Sequence, residues 1–217
     1  MATDALHLPA KRKARALCVL VHGRGQSPEE MQSHILARLD VEDVSFVLPR
    51  APGGTWYAVR AVDPLTAEAR AALGASLDHL AEDIAAARAA HGEGLPLLLA
   101  GFSQGACLSL EYVFSGRPAP QALVAFTGCR VGVPEDDRPQ RLAAELPVYL
   151  TGSDADPWIP VGAFSEAVKD LGAGRARLRA DVFPGRGHEV LDAEVEMLQS
   201  MLEELATGMP ISMGAAR

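Results

Sequence analysis

The pentapeptide Gly101-Phe102-Ser103-Gln104-Gly105 follows directly on the apolar run Leu97-Leu98-Leu99-Ala100 and constrains the fold more than any other stretch. An unbroken apolar run of that length reads as a strand shielded on both faces, the pattern of a parallel sheet. Residues 104–114 read as a helix leading away from it, so the chain must turn sharply at Ser103. The flanking glycines leave space for the tight backbone and for close packing of strand on helix. A serine on such a corner exposes its hydroxyl at the sheet's edge. A plain structural turn can carry the same pattern, so its meaning comes from what the rest of the chain sets beside it.

Elsewhere, short apolar runs alternate with helical patterns, which implies an α/β domain with a mostly parallel central sheet. Strands are expected at residues 16–21, 44–48, 95–100, 122–126, 146–151 and 177–183. Ser27 offers an N-cap, with Pro28 at the first helical position and Glu30 three residues after the cap, for a helix reaching residue 39. Residues 49–65 carry Pro49, Pro52, Gly53, Gly54 and Pro64 and read as an irregular loop of the long kind that is functional or mobile. A long helix over residues 66–90 buries a stripe of Leu73, Leu77, Leu80 and Ile84, weakened slightly by Gly74. A further helix spans 161–171, and Leu191, Val195, Leu198, Leu202 and Leu205 mark a closing amphipathic one. Residues 1–217 read as a single domain with a core at about 15–206, leaving 1–14 and 207–217 as loose termini.

Composition narrows the function classes. The formal charge of −8 argues against nucleic-acid binding, which needs a basic excess. No apolar run approaches the ~20 residues that span a bilayer, and no apolar segment of signal-peptide type follows the basic residues near the N-terminus. Cys18, Cys107 and Cys129 form no Cys-x-x-Cys pair and read as buried free thiols, consistent with a reducing, cytoplasmic setting. No metal is expected: His188-Glu189 does not continue into His-Glu-x-x-His, and no Cys/His spacing suits zinc. Gly23-Arg24-Gly25 lacks the third glycine of a dinucleotide site, and no Gly-Lys-Ser/Thr phosphate loop occurs.

In open α/β sheets, functional groups gather beyond the carboxyl ends of the strands. There the chain places His22-Gly23-Arg24-Gly25, then Ser103, then Gly152-Ser153-Asp154-Ala155-Asp156-Pro157, then Pro184-Gly185-Arg186-Gly187-His188. A serine hydroxyl is a weak nucleophile until an imidazole takes its proton, and the imidazole needs a carboxylate on its other nitrogen. Ser103 is therefore expected as nucleophile, His188 as general base and then acid, and Asp156 as the orienting carboxylate. Backbone N–H groups of Gln104 and of Arg24 are the expected oxyanion donors.

At these positions the chain resembles the phospholipase/carboxylesterase family, which includes the acyl-protein thioesterases. The matching residues are the His-Gly-x-Gly turn at 22–25, Gly-Phe-Ser-Gln-Gly at 101–105, Asp-x-Asp-Pro-x-Ile-Pro at 154–160, Gly-His-Glu-Val at 187–190, and Thr55-Trp56-Tyr57. The resemblance spans about residues 15–206. It implies an α/β-hydrolase fold with helices on both faces, no metal or organic cofactor, and a small-molecule carboxylic ester or thioester substrate, lysophospholipids included. Gly152 stands where the family often has a histidine before the acid loop.

Other readings stay open at single residues. His22 reads as a turn-stabilising residue rather than a base, and Asp154 competes with Asp156, which Pro157 and the family pattern favour. Trp56 and Trp158 are either packing residues or walls of a hydrophobic substrate pocket, with Phe102 and Met31 as further wall candidates. The Arg24 guanidinium either addresses an anionic substrate group or faces solvent. An exposed apolar rim would support a homodimer. The competing function is a non-catalytic α/β-hydrolase fold that binds a small apolar ligand or a protein. A dienelactone-hydrolase-like lactonase is disfavoured, because that family carries cysteine where this chain has Ser103.

Overall fold

Residues Ala16–Val21 are wholly shielded from solvent, and their alternation sorts them onto two cores. This strand, β2, sends Leu17, Val19 and Val21 into one apolar cluster and Ala16, Cys18 and Leu20 into the other. The computed structural model describes residues 4–214. Around β2 stand β1 (Leu6–Leu8), β3 (Val44–Leu48), β4 (Leu97–Phe102), β5 (Ala122–Phe126), β6 (Pro147–Gly152) and β7 (Arg177–Val182). They form one seven-stranded sheet in the order β1-β3-β2-β4-β5-β6-β7. Every pairing is parallel except β1 with β3. Helices α2 (Ala67–His91), α3 (Gln104–Phe114) and α4 (Val161–Ala173) cover one face. Helices α1 (Pro28–His34) and α5 (Asp192–Thr207) cover the other. This is the α/β-hydrolase architecture, with both faces of a parallel sheet buried. No described helix is long and apolar enough to cross a membrane.

Local chemistry accounts for the element ends. Ser27 Oγ accepts the Glu30 amide at the start of α1, and Thr66 Oγ1 accepts the Ala69 amide at the start of α2. Helix α1 stops at His34 rather than reaching residue 39. Ile35 leaves helical geometry at φ −119°, and Leu36–Arg38 forms a separate 3₁₀ turn. Arg38 reaches back to the His34 carbonyl at 3.1 Å, satisfying one of the acceptors that a helix end leaves free. Strand β4 lies two residues later than expected, because Gly101 and Phe102 pair with Ala125 and Phe126 of β5. The sheet thus carries the chain to the very residue before Ser103.

Both expected loose termini are corrected within the described residues. Leu6–Leu8 forms edge strand β1, pairing antiparallel with Phe46–Leu48. Beyond α5, Ile211 and Met213 are buried in the cluster under α5. Arg177 and Arg179 of β7 donate to the carbonyls of Ile211 and Met213 at 2.7 and 2.8 Å. Glu204 accepts both the amide and the hydroxyl of Ser212.

Candidate active site

Ser103 sits between β4 and α3 at φ 55°, ψ −119°, a left-handed conformation that side-chain-bearing residues rarely adopt. Its amide is held by the Phe126 carbonyl at 3.0 Å. The neighbouring glycines are required by close approach. A Cβ on Gly105 would lie 2.2 Å from the Val21 carbonyl oxygen, and one on Gly101 2.5 Å from the Gly105 backbone. The corner therefore works only with small residues on both sides of the serine.

His188 arrives on the loop after β7 and Asp156 on the loop after β6. Ser103 Oγ lies 2.8 Å from His188 Nε2, and His188 Nδ1 lies 2.8 Å from Asp156 Oδ2. The carboxylate can only accept, so Nδ1 carries the imidazole proton and Nε2 faces the serine hydroxyl as acceptor. Asp156 Oδ1 takes the amides of Trp158 and Ile159 at 2.8 and 3.0 Å. Burial alone would raise the Asp156 carboxyl above its ordinary value. The bonds from His188, Ile159 and Trp158 outweigh it and hold the carboxyl below that value, so it stays ionised. Asp154 points elsewhere: its Oδ1 accepts the Gly185 amide at 2.7 Å and ties the β6 loop to the β7 loop.

An ion pair that the sequence reading missed holds the His188 loop. Arg186 and Glu194 are almost wholly buried, with Arg186 Nη1 2.9 Å from both carboxylate oxygens. The same nitrogen donates to the Glu189 carbonyl, and Glu194 accepts the Leu191 amide. Ser153 adds a bond from its hydroxyl to the Arg186 carbonyl at 2.6 Å. The only trace in the sequence is an acidic residue in the first turn of the closing helix.

The loop after β2 lies opposite Ser103. Gln104 begins α3, so its amide has no carbonyl one turn earlier to bind. The Gln104 side chain bridges to the long loop, accepting from the Trp56 amide and donating to the Tyr57 carbonyl at 3.1 and 2.7 Å. Arg24 is exposed at the rim of the site, and its guanidinium is held by the long loop. It donates to the carbonyls of Tyr57, Ala58 and Val59 at 3.0, 3.0 and 2.5 Å, pinning that loop. His22 is fully buried, accepts the Ala51 amide at Nε2 and donates from Nδ1 to the Gly23 carbonyl. Burial, with the nearby Arg50 charge adding to it, lowers its pKa despite the Gly23 bond, so the ring stays neutral as a turn brace.

The expected wall residues separate into three places. Trp158 is exposed and lines a cleft of about 250 Å³ with Ser103, His188, Tyr57, Cys107 and Ile159. Met31 and Phe102 instead line a second cleft, of about 410 Å³, on the other side of His188. Trp56 lines neither. It is buried, donates from Nε1 to the His22 carbonyl at 2.9 Å, and accepts the Ser76 hydroxyl at its own carbonyl. Of the two readings open for Trp56, the pocket wall gives way to the packing one, a strut beneath the loop. Cys107, one turn along α3 from Ser103, is the cleft residue whose spacing could have announced it. At Gly152 a Cβ would fall 2.6 Å from the Phe164 ring of α4. That ring occupies the space a larger side chain would need.

The fold and this geometry agree with what the chain is similar to. A family model described as Phospholipase/Carboxylesterase matches residues 7–206. The chain belongs to that family. Among solved structures, a phospholipase/carboxylesterase from Dyadobacter fermentans is 27% identical, with TM-score 0.79, covering 93% of this chain and 97% of its own. Esterase PE8 is 26% identical, with TM-score 0.78, covering 94% of this chain and all of its own. Zea mays acyl-protein thioesterase 2 shares the fold at 18% identity and TM-score 0.75, covering 94% of this chain and all of its own. No curated protein sequence matched the chain. Family and neighbours together indicate an α/β hydrolase of the esterase type.

Proposed function

We propose that this phospholipase/carboxylesterase-family member is a serine hydrolase that cleaves carboxylic esters through an acyl-enzyme on Ser103. The observation carrying this reading is the continuous relay from Ser103 Oγ to His188 to Asp156, with 2.8 Å at each step. Ser103 attacks the ester carbonyl while His188 Nε2 takes its proton, and Asp156 stabilises the imidazolium that forms. The backbone amides of Gln104 and Arg24 face the developing oxyanion. His188 then hands the proton to the departing alcohol, activates a water in its place, and the acid leaves as Ser103 is regenerated. Thioesters and lysophospholipids are open to the same chemistry, since only the leaving group or acyl chain differs.

The test is turnover of p-nitrophenyl esters by Ser103→Ala. The expected result is loss of acyl-enzyme turnover in a protein whose circular dichroism is unchanged. Near-normal hydrolysis by the variant would refute the reading.

A further inference from the structure

A chain with 28 acidic residues against 20 lysines and arginines places no acidic side chain on the wall of its catalytic cleft. The fixed charges lining the cleft of about 250 Å³ beside Ser103 and His188 are Arg24 and Arg60, both exposed. Asp156 stands behind His188, its oxygens spent on that ring and on the amides of Trp158 and Ile159. The mouth of the site is therefore locally positive on a protein of formal charge −8.

The hydrogen bonds of these residues show which groups are left over. Arg24 donates to three backbone carbonyls, which occupy its N–H groups without cancelling its charge. Arg60 is freer. Its backbone amide donates to Asp63 Oδ2 at 3.2 Å, yet its guanidinium has no acceptor or ion-pair partner among the described residues. Arg12, Arg70 and Arg175, also exposed, each stand beside a carboxylate. Tyr57, buried in the same cleft wall, carries a hydroxyl with no hydrogen-bond partner. Burial pushes its pKa well up, so the phenol keeps its proton and remains a donor. The cleft thus offers unspent donors and a positive field, and the ligand that complements it is rich in acceptors and negative. One free guanidinium matches the single charge and paired oxygens of a carboxylate.

Resting on the esterase reading above, we propose that Arg60 determines specificity by holding a carboxylate that the substrate carries within a few bonds of the scissile ester. Arg60 pairs with that carboxylate at the cleft mouth while Ser103 attacks the ester carbonyl, and Arg24 adds to the field that draws the anion in.

The experiment compares esters that differ only in carboxylate against carboxamide, two groups of the same shape. Monomethyl glutarate and methyl glutaramate place the group on the acid. Acetoxyacetate and acetoxyacetamide place it on the alcohol. For the unmodified protein, kcat/KM should favour the carboxylate in one pair, and that pair tells which side of the ester bears the anion. In Arg60→Ala the carboxylate-to-carboxamide ratio of that pair should fall about fivefold, the upper range for one partly exposed ion pair. Arg60→Lys, which keeps a charge, should retain more of the ratio than Arg60→Ala and guards against a folding defect. Raising NaCl from 20 mM to 0.5 M should shrink the ratio in the unmodified protein and leave it unmoved in Arg60→Ala. No carboxylate preference in either pair would overturn the assignment, as would a preference that survives Arg60→Ala. Hydrolysis of p-nitrophenyl acetate with none of either pair would overturn it too. Absence of turnover on every ester, p-nitrophenyl acetate included, would overturn the esterase reading itself, a different result from these.

Discussion

Ser103 is held in its left-handed conformation by parts that leave no slack: a backbone bond to β5, glycines on either side, and an imidazole at hydrogen-bond distance. Because a Cβ on Gly105 would meet backbone atoms of Val21, Gly105→Ala cannot be absorbed by rotating a side chain. That variant should fold poorly, read as loss of soluble protein or a large fall in Tm. Asp156 lends itself to a cleaner substitution. Asp156→Asn keeps the size of the side chain but removes the charge and the pure acceptor, which favours the wrong imidazole tautomer. The expected fall in kcat is about 10⁴-fold with KM and Tm little altered. A loss below tenfold, measured on a p-nitrophenyl ester, would remove Asp156 from the orienting role. At this scale the sequence was most informative, because Ser103, Asp156 and His188 each follow a recognisable strand and differ in chemical type. It gave no sign of the loop contacts of the Arg24 guanidinium, whose three carbonyl partners lie more than thirty residues away.

Elements position these residues, and the turn between β7 and α5 is anchored by the buried Arg186–Glu194 pair. Arg186 and Glu194 are 2% and 0% exposed at their side chains, so removing one leaves the other charge buried without its partner. Glu194→Ala should destabilise the fold by about 3–5 kcal/mol, measured by urea denaturation. Activity of the remaining folded protein should also fall, since the Glu189 carbonyl and Leu191 amide, just after His188 in the chain, lose their common anchor. Retained stability would show that the pair contributes little. Strand and helix periodicity made most elements legible, because burial on one or both faces imposes a pattern on the sequence. The end of α1 was not, since Arg38 folding back onto the His34 carbonyl depends on tertiary neighbours at Val190 and Asp192. Trp56 stayed open between packing residue and pocket wall for a related reason: an aromatic in a long loop fits either role until its hydrogen bond to the His22 carbonyl is seen.

Across the whole molecule, the sheet order puts the ends of β2, β4, β6 and β7 along one edge, which is why residues from 22 to 188 converge. The C-terminal segment belongs to this assembly. Deleting residues 209–217 removes Ile211 and Met213 from the cluster beneath α5, at about 1.5–3 kcal/mol for each buried side chain, and should lower Tm clearly. An unchanged Tm would return that segment to the loose state its composition suggested. Its glycines and proline resemble those of any flexible tail, and the carbonyl contacts to Arg177 and Arg179 leave no periodic trace. Stability should also depend on pH through His22. Its folded pKa lies below the ordinary 6.5, so its contribution is complete above that value and is lost as pH falls from there to the folded pKa. His22→Asn should flatten the slope of stability against pH in that window, measured by urea midpoints; an unaltered slope would contradict the buried neutral ring. The account's central claim is that Ser103 is the nucleophile that accepts the acyl group, and covalent trapping tests it most directly. After reaction with a fluorophosphonate, peptide mass mapping should find the adduct on Ser103 alone, and it should vanish in His188→Ala. An adduct confined to another residue, or full labelling without His188, would contradict the account.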